Sequence, residues 1–250
     1  MSGADLARRG LLIAAAGGSA LALADCAKGG KPAEADVSAV EDLMREHGVL
    51  RRVLVVYREA AGLVRANFSS VNGRLIWRAA DLFRRFGESY HEQKLEEAHI
   101  FPQAMKAGGE AARLVPILIG QHARGSEITA YIQAKTGAGG IATSDADGLV
   151  QALEGFARMY EAHSAYEDTI VFQAWRGTLG KSEQADAAAQ FDAIEHETFK
   201  GEGFEPAVAE IDAIEKALRI HDLSRYTAGP PGVAPPPVIA MPDAVTEGAD

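Results

Sequence analysis

Apolar residues along the chain recur at alternating steps of four and three, the period of a helix that buries one stripe. From Val40 to Phe68 the stripe is Leu43, His47, Leu50, Leu54, Tyr57, Ala61 and Val64. Asn72-Gly73 interrupts it. A second helix is predicted from Leu75 to Met105, entering with Leu75, Ala79, Leu82 and Phe86 on one face and ending at Gly108-Gly109. A third, Glu110 to Lys135, turns Val115, Leu118, His122, Gly125, Ile128 and Ile132 inward and closes on the Gly-rich run 136–140. The fourth, Asp145 to Trp175, keeps the alternating step through Leu149, Leu153, Phe156, Tyr160, His163, Glu167, Ile170 and Ala174. Four long amphipathic helices on short connections satisfy their stripes by packing antiparallel, so the expected fold is all-α, an up-down-up-down four-helix bundle. Ser182 to His196 and Glu205 to Ile220 read as additional C-terminal helices that cap or flank it.

The ends of the chain obey other rules. Arg8-Arg9-Gly10 precedes an apolar run, Leu11 to Ala24, that is shorter than the roughly 20 residues a spanning helix needs. Residues 1–25 are therefore expected to be an export signal and not part of the fold. The paired arginines resemble a twin-arginine signal, and Leu23-Ala24-Asp25-Cys26 resembles a lipobox in which Asp25 departs from the usual small residue. The expectation is a protein on the periplasmic side, tethered by lipid at Cys26. Residues 26–39 read as a polar spacer, 40–177 as the bundle and 178–222 as its flanking helices. Residues 223–250, with Pro230-Pro231 and Pro235-Pro236-Pro237, are expected to form a disordered tail.

Composition narrows the chemistry. A net charge of −10 argues against nucleic acid, whose phosphates demand stripes of Lys and Arg. Cys26 is the only cysteine, which rules out an intrachain disulfide and a thiolate cluster; a metal would have to be held by nitrogen and oxygen.

The buried stripes themselves carry such ligands. Placing a charge or an imidazole on a seam costs several kcal/mol unless something compensates, and a cation is one compensation. His47 lies on the first stripe, His122 on the third, and His163 with Glu167 on the fourth, four residues apart on one face. The second helix is dense in ligand types from Tyr90 to Pro102, but in a less tidy register. His91 precedes Glu96 by five residues, a spacing that a regular α-helix places on different faces and a π-bulge brings together. Glu92, which shares a face with Glu96, and Glu97 remain as alternatives. His99 is expected at the surface, and His196 and His221 in solvent.

The order His, His with Glu, His, His with Glu on four successive helices resembles the hemerythrin family, over about Val40 to Gly177. Glu46-His47, Glu96-Glu97 before Ile100-Phe101-Pro102, Gln121-His122-Ala123-Arg124-Gly125, and His163 to Asp168 before Val171-Phe172 carry the resemblance. It implies two irons, with His47, His91, His122 and His163 as terminal ligands and Glu96 and Glu167 as bridges. Manganese and zinc rank below iron. Aligned on Phe101 and Phe172, Glu96 matches Glu167 but Glu92, not His91, matches His163. The family's founding members use more histidines than this, which leaves a coordination position open or filled by a carboxylate. The implied function is binding of dioxygen or nitric oxide, or handling of iron. The alternatives are a ferroxidase or peroxidase-like enzyme, and a metal-free helical interaction module.

Overall fold

The structure, a computed structural model, describes residues 37–232. The expected export signal, Cys26 and most of the spacer lie outside the described residues, as does the tail from residue 233 onward. Six helices and no strand make up the described residues.

Helix α1, Ala39–Asn67, starts at Ser38. The Ser38 hydroxyl accepts the Glu41 amide while the Glu41 carboxylate accepts the Ser38 amide, so two of the orphan donors at the helix start are satisfied. Helix α2 runs without a break over residues 73–107, its first turn capped by the Asn72 side chain on the Arg74 amide. Gly108 and Gly109, both at positive φ, then reverse the chain. Helix α3 is Gly109–Thr136, and α4 spans residues 146–177. Helices α5, Lys181–Phe199, and α6, Phe204–Ala217, come next. The short turn Leu223–Tyr226, with Asp222 capping the Ser224 amide, extends order into the first residues of the expected tail.

Cross-helix contacts fix the directions. Arg51 reaches Ser164 and Asp168, Arg58 reaches Glu161, and Arg65 reaches Glu154, so α1 and α4 run antiparallel. Glu46 pairs with Tyr90 while Gly87 abuts Leu50, which sets α2 antiparallel to α1. His122 faces His163, Gly125 faces Tyr160, and Gly148 faces Tyr131, giving the same relation for α3 and α4. On the fourth side, Arg74 donates to the Gly137 carbonyl and Arg84 to Gln133 and Ser126. The four-helix bundle is closed, with Leu43, Val53, Ile76, Phe83, Leu118 and Phe156 buried in its core.

Helices α5 and α6 lie against α1 and α2. Arg52 on α1 pairs with Asp212 and Glu215, Arg85 on α2 pairs with Glu210, and Lys94 donates to Thr198. Phe199, the last residue of α5, sets its ring edge-on to Tyr90 at 5.1 Å.

Two of the helices change pitch. In α2 the stretch Phe83–Ile100 is π-helical, and in α4 Glu167–Val171 is a single π turn. Each π stretch ends alike: the Phe101 amide donates to the Glu96 carbonyl, and the Phe172 amide to the Glu167 carbonyl. The π turn in α4 corrects the expected seam. Leu149 to Glu167 are buried as the period demands, but the extra residue in the turn rotates the remainder of the helix, so Ile170 and Ala174 are only half-buried. Val171, Phe172 and Trp175 take the inward places.

Candidate metal centre

The π stretch of α2 resolves its untidy register. With one more residue per turn, His91 and Glu96 share a face, and His91 Nε2 comes within 3.3 Å of Glu96 Oε1. Glu92 points elsewhere: it accepts the Tyr160 hydroxyl at 2.8 Å. Glu97 lies on the rim, 35% exposed, on the far side of His122.

All six candidate ligands, His47, His91, Glu96, His122, His163 and Glu167, are buried and converge at mid-bundle. The Nε2 atoms of His47 and His91 are 3.0 Å apart, and those of His122 and His163 are 3.1 Å apart. The two carboxylates lie between these pairs. Glu96 turns Oε1 toward His91 and Oε2 toward His122, at 3.4 Å from the latter's Nε2. Glu167 Oε2 is 3.1 Å from His163 Nε2 and 3.5 Å from His47 Nε2. Two groups result, Glu96, His122, His163 and Glu167 in one and His47, His91 and Glu96 in the other, each with ligand atoms within 4.8 Å of one another.

Every ring is held from behind. His47 Nδ1 bonds Asp168 at 2.7 Å, His91 Nδ1 bonds Glu46, His122 Nδ1 bonds Glu97 at 2.8 Å, and His163 Nδ1 bonds Gln121 at 2.9 Å. Each of these partners is an acceptor, so Nδ1 donates to it and Nε2 faces the centre, the arrangement a ligand needs once the ring is neutral. Phe172 stacks on His47 at 5.4 Å and Phe101 on His122 at 5.6 Å, closing the two sides.

These contacts obey a twofold pattern across the bundle. Glu46 precedes His47 as Gln121 precedes His122; Glu97 comes after Glu96 as Asp168 comes after Glu167; Phe101 and Phe172 each stand five residues after the central carboxylate. From the sequence none of these acceptors is assigned to a ring, and Glu97, an alternative ligand there, stands behind His122 instead. Their signal was present in the sequence: an acid or amide one place before the first histidine of each half, and an acid one place after each central glutamate.

By themselves these side chains form a cluster that shares borrowed protons. Burial works against charge on His91, but Glu96 and Glu46 outweigh it and hold its proton well above the usual histidine range. His122 is likewise buried, and Glu96 and Glu97 push it up to about 11. His163 goes the other way, down to about 4, through burial and then the charge of His122. Glu96 resists burial and stays ionised because His91 and His122 face it, while burial and the neighbouring Glu96 drive Glu167 well up. Even so, both oxygens of Glu96 and of Glu167 are buried without a directed hydrogen bond. Four buried carboxylate oxygens without a directed hydrogen bond are a heavy cost for a protein to carry, and cations remove it. The residues present therefore fit bound metal cations.

Matches to known proteins agree. The hemerythrin HHE cation binding domain model matches residues 38–175. The chain belongs to the hemerythrin HHE family. Uncharacterized proteins of Mycobacterium tuberculosis and Mycobacterium bovis are each 39% identical to this hemerythrin-type chain over 237 residues, covering 90% of it and 92% of their own length. No solved structure matches it. Family and buried His/Glu clusters together make this a metal-binding protein.

Beside the centre lies a cavity of about 10 Å³, lined by Leu50, Leu54, Phe83, Tyr160 and Ser164 and reaching His47, His91, Glu96 and His163. Arg51 forms its outer wall, 41% exposed and pinned by Ser164 and Asp168; the other lining residues are buried. Nearby, Tyr90 bonds Glu46, Tyr166 is exposed, and His99, expected at the surface, is half-buried with its ring 6.0 Å from Phe191. His196 and His221 are exposed.

Proposed function

We propose that this hemerythrin-type protein holds two iron ions, His47 and His91 on one, His122 and His163 on the other, with Glu96 and Glu167 shared, and that it binds a small ligand such as dioxygen or nitric oxide. The observation that carries the reading is the set of four orphaned oxygens on Glu96 and Glu167, each carboxylate within reach of both histidine pairs. Ligands of nitrogen and oxygen without sulfur suit iron and manganese, and family membership favours iron. Bound iron would supply an electron-rich centre for a diatomic ligand. The chain supplies the rest: a cavity with room for about one water-sized molecule, apolar walls at Leu50, Leu54 and Phe83, and Arg51 at its outer wall.

A second reading, peroxidase- or ferroxidase-like turnover, has one observation in its favour. Tyr160 lines the cavity and donates to Glu92, whose own carboxyl burial pushes up to about 7, so a carboxyl that exchanges protons near neutrality is linked to the cavity through Tyr160. The N-terminal sequence supports export and a lipid tether at Cys26 as part of the same proposal.

Metal analysis combined with optical spectra, with and without oxygen, tests both. About two irons per chain and a reversible, stoichiometric spectral change with oxygen are expected. Catalytic loss of peroxide or ferrous iron would favour the enzyme, and fewer than about one transition-metal ion per chain would leave only a metal-free module.

A further inference from the structure

The twofold pattern behind the histidines is broken at one pair. Where His91 leans on a carboxylate, Glu46, His163 leans on a neutral amide, Gln121. We infer that Glu46 and Gln121 make the two halves of the centre unequal, so that the site at His47 and His91 loads first and holds its cation more tightly than the site at His122 and His163. This rests on the reading of two ions given above.

A carboxylate behind a ligating imidazole draws on the Nδ1 proton and makes Nε2 a stronger donor to a cation; an amide oxygen does so far less, because it carries no charge. Exchanging or removing such a partner typically changes metal affinity by about 10- to 100-fold. The surroundings reinforce the difference. Glu46 is 1% exposed, its second oxygen accepts the Tyr90 hydroxyl at 2.8 Å, and Phe199 of α5 lies against Tyr90, so the carboxylate behind His91 is locked in place and shut away from water. Asp168, behind His47, is 8% exposed, although Arg51 offsets part of its charge. On the other side Glu97, which bonds His122 at 2.8 Å, is 35% exposed and Gln121 is half-buried, so water reaches both and neither is locked as Glu46 is. The tighter site thus owes its lock to α5, an element beyond the matched residues 38–175.

The full chain, freed of metal and titrated anaerobically with Co(II), tests the inference, with the visible absorption of bound cobalt and calorimetry as readouts. Two separate binding steps are expected. Glu46→Gln should weaken the first step by about 10-fold and leave the second in place, and Gln121→Glu should tighten the second by about 10-fold. With both exchanges made together, the order of loading should invert, which His91→Ala and His163→Ala in the same background would read as loss of the opposite step. Thermal unfolding of each metal-free variant separates a site effect from a folding defect, and Gln121→Glu, at a half-buried place, tests the claim even if Glu46→Gln folds poorly. Equal affinities in the parent protein, or a Gln121→Glu chain that loads as the parent does, would overturn the inference while leaving two ions bound. No uptake of cobalt or iron by the parent would instead overturn the proposed function.

Discussion

His163 and Glu167 sit one turn apart and meet at 3.1 Å, so either alone leaves the other as a buried polar group facing orphaned neighbours. His163→Ala or Glu167→Ala should lower the metal content of purified protein and cost about 3 kcal/mol of stability in the presence of metal. His196, paired with Glu202 at the surface, serves as the comparison, and His196→Ala should leave metal content unchanged. Loss of metal in that variant would show the site boundary to be wrong. The borrowed protons give a second test. His91 and His122 are held protonated above neutrality when no metal is present, and a ligating imidazole must give that proton up. Metal uptake at pH 7 in a weakly buffered dye solution should therefore release at least about two protons per chain, more where Glu167 also gives one up, and affinity should rise as pH rises and fall as it falls. Uptake without proton release would contradict the assignment of these two rings.

At the scale of elements, π geometry does what a regular helix does not. It brings His91 and Glu96 together in α2, and in α4 it moves Val171, Phe172 and Trp175 inward, Phe172 onto His47. Close approach of α3 and α4 at the centre depends on Gly125, where a Cβ would collide with the Tyr160 hydroxyl and ring. Gly125→Ala should displace Tyr160 from Glu92 and from the cavity wall. A loss of about 1–3 kcal/mol by chemical denaturation is expected, together with altered small-ligand binding in the metal-loaded protein. An unchanged unfolding midpoint would mean that the helices part there at no cost.

For the whole molecule, ions that bind only the folded bundle add to its stability by mass action. Chelation should lower the midpoint of thermal unfolding by roughly 10 °C, corresponding to about 4 kcal/mol for a site at a thousandfold excess of ion over Kd. Calorimetry before and after removal and return of iron checks this. The sequence alone was enough for the all-α bundle, its four long helices and the polar residues that intrude on their stripes, because apolar period and such intrusions are local patterns that survive in one dimension. His47, His122, His163 and Glu167 stood out because each occupied a place that packing would give to an apolar side chain. The pairing of His91 with Glu96 was legible only as one of several options, since their spacing needs a change of helical pitch. The tertiary structure alone decided which acceptor stands behind each ring, that Glu92 serves Tyr160, and that α5 covers Tyr90 and Glu46. Those are contacts between residues tens of positions apart, fixed by how the helices rotate and pack against one another, and no local period encodes them.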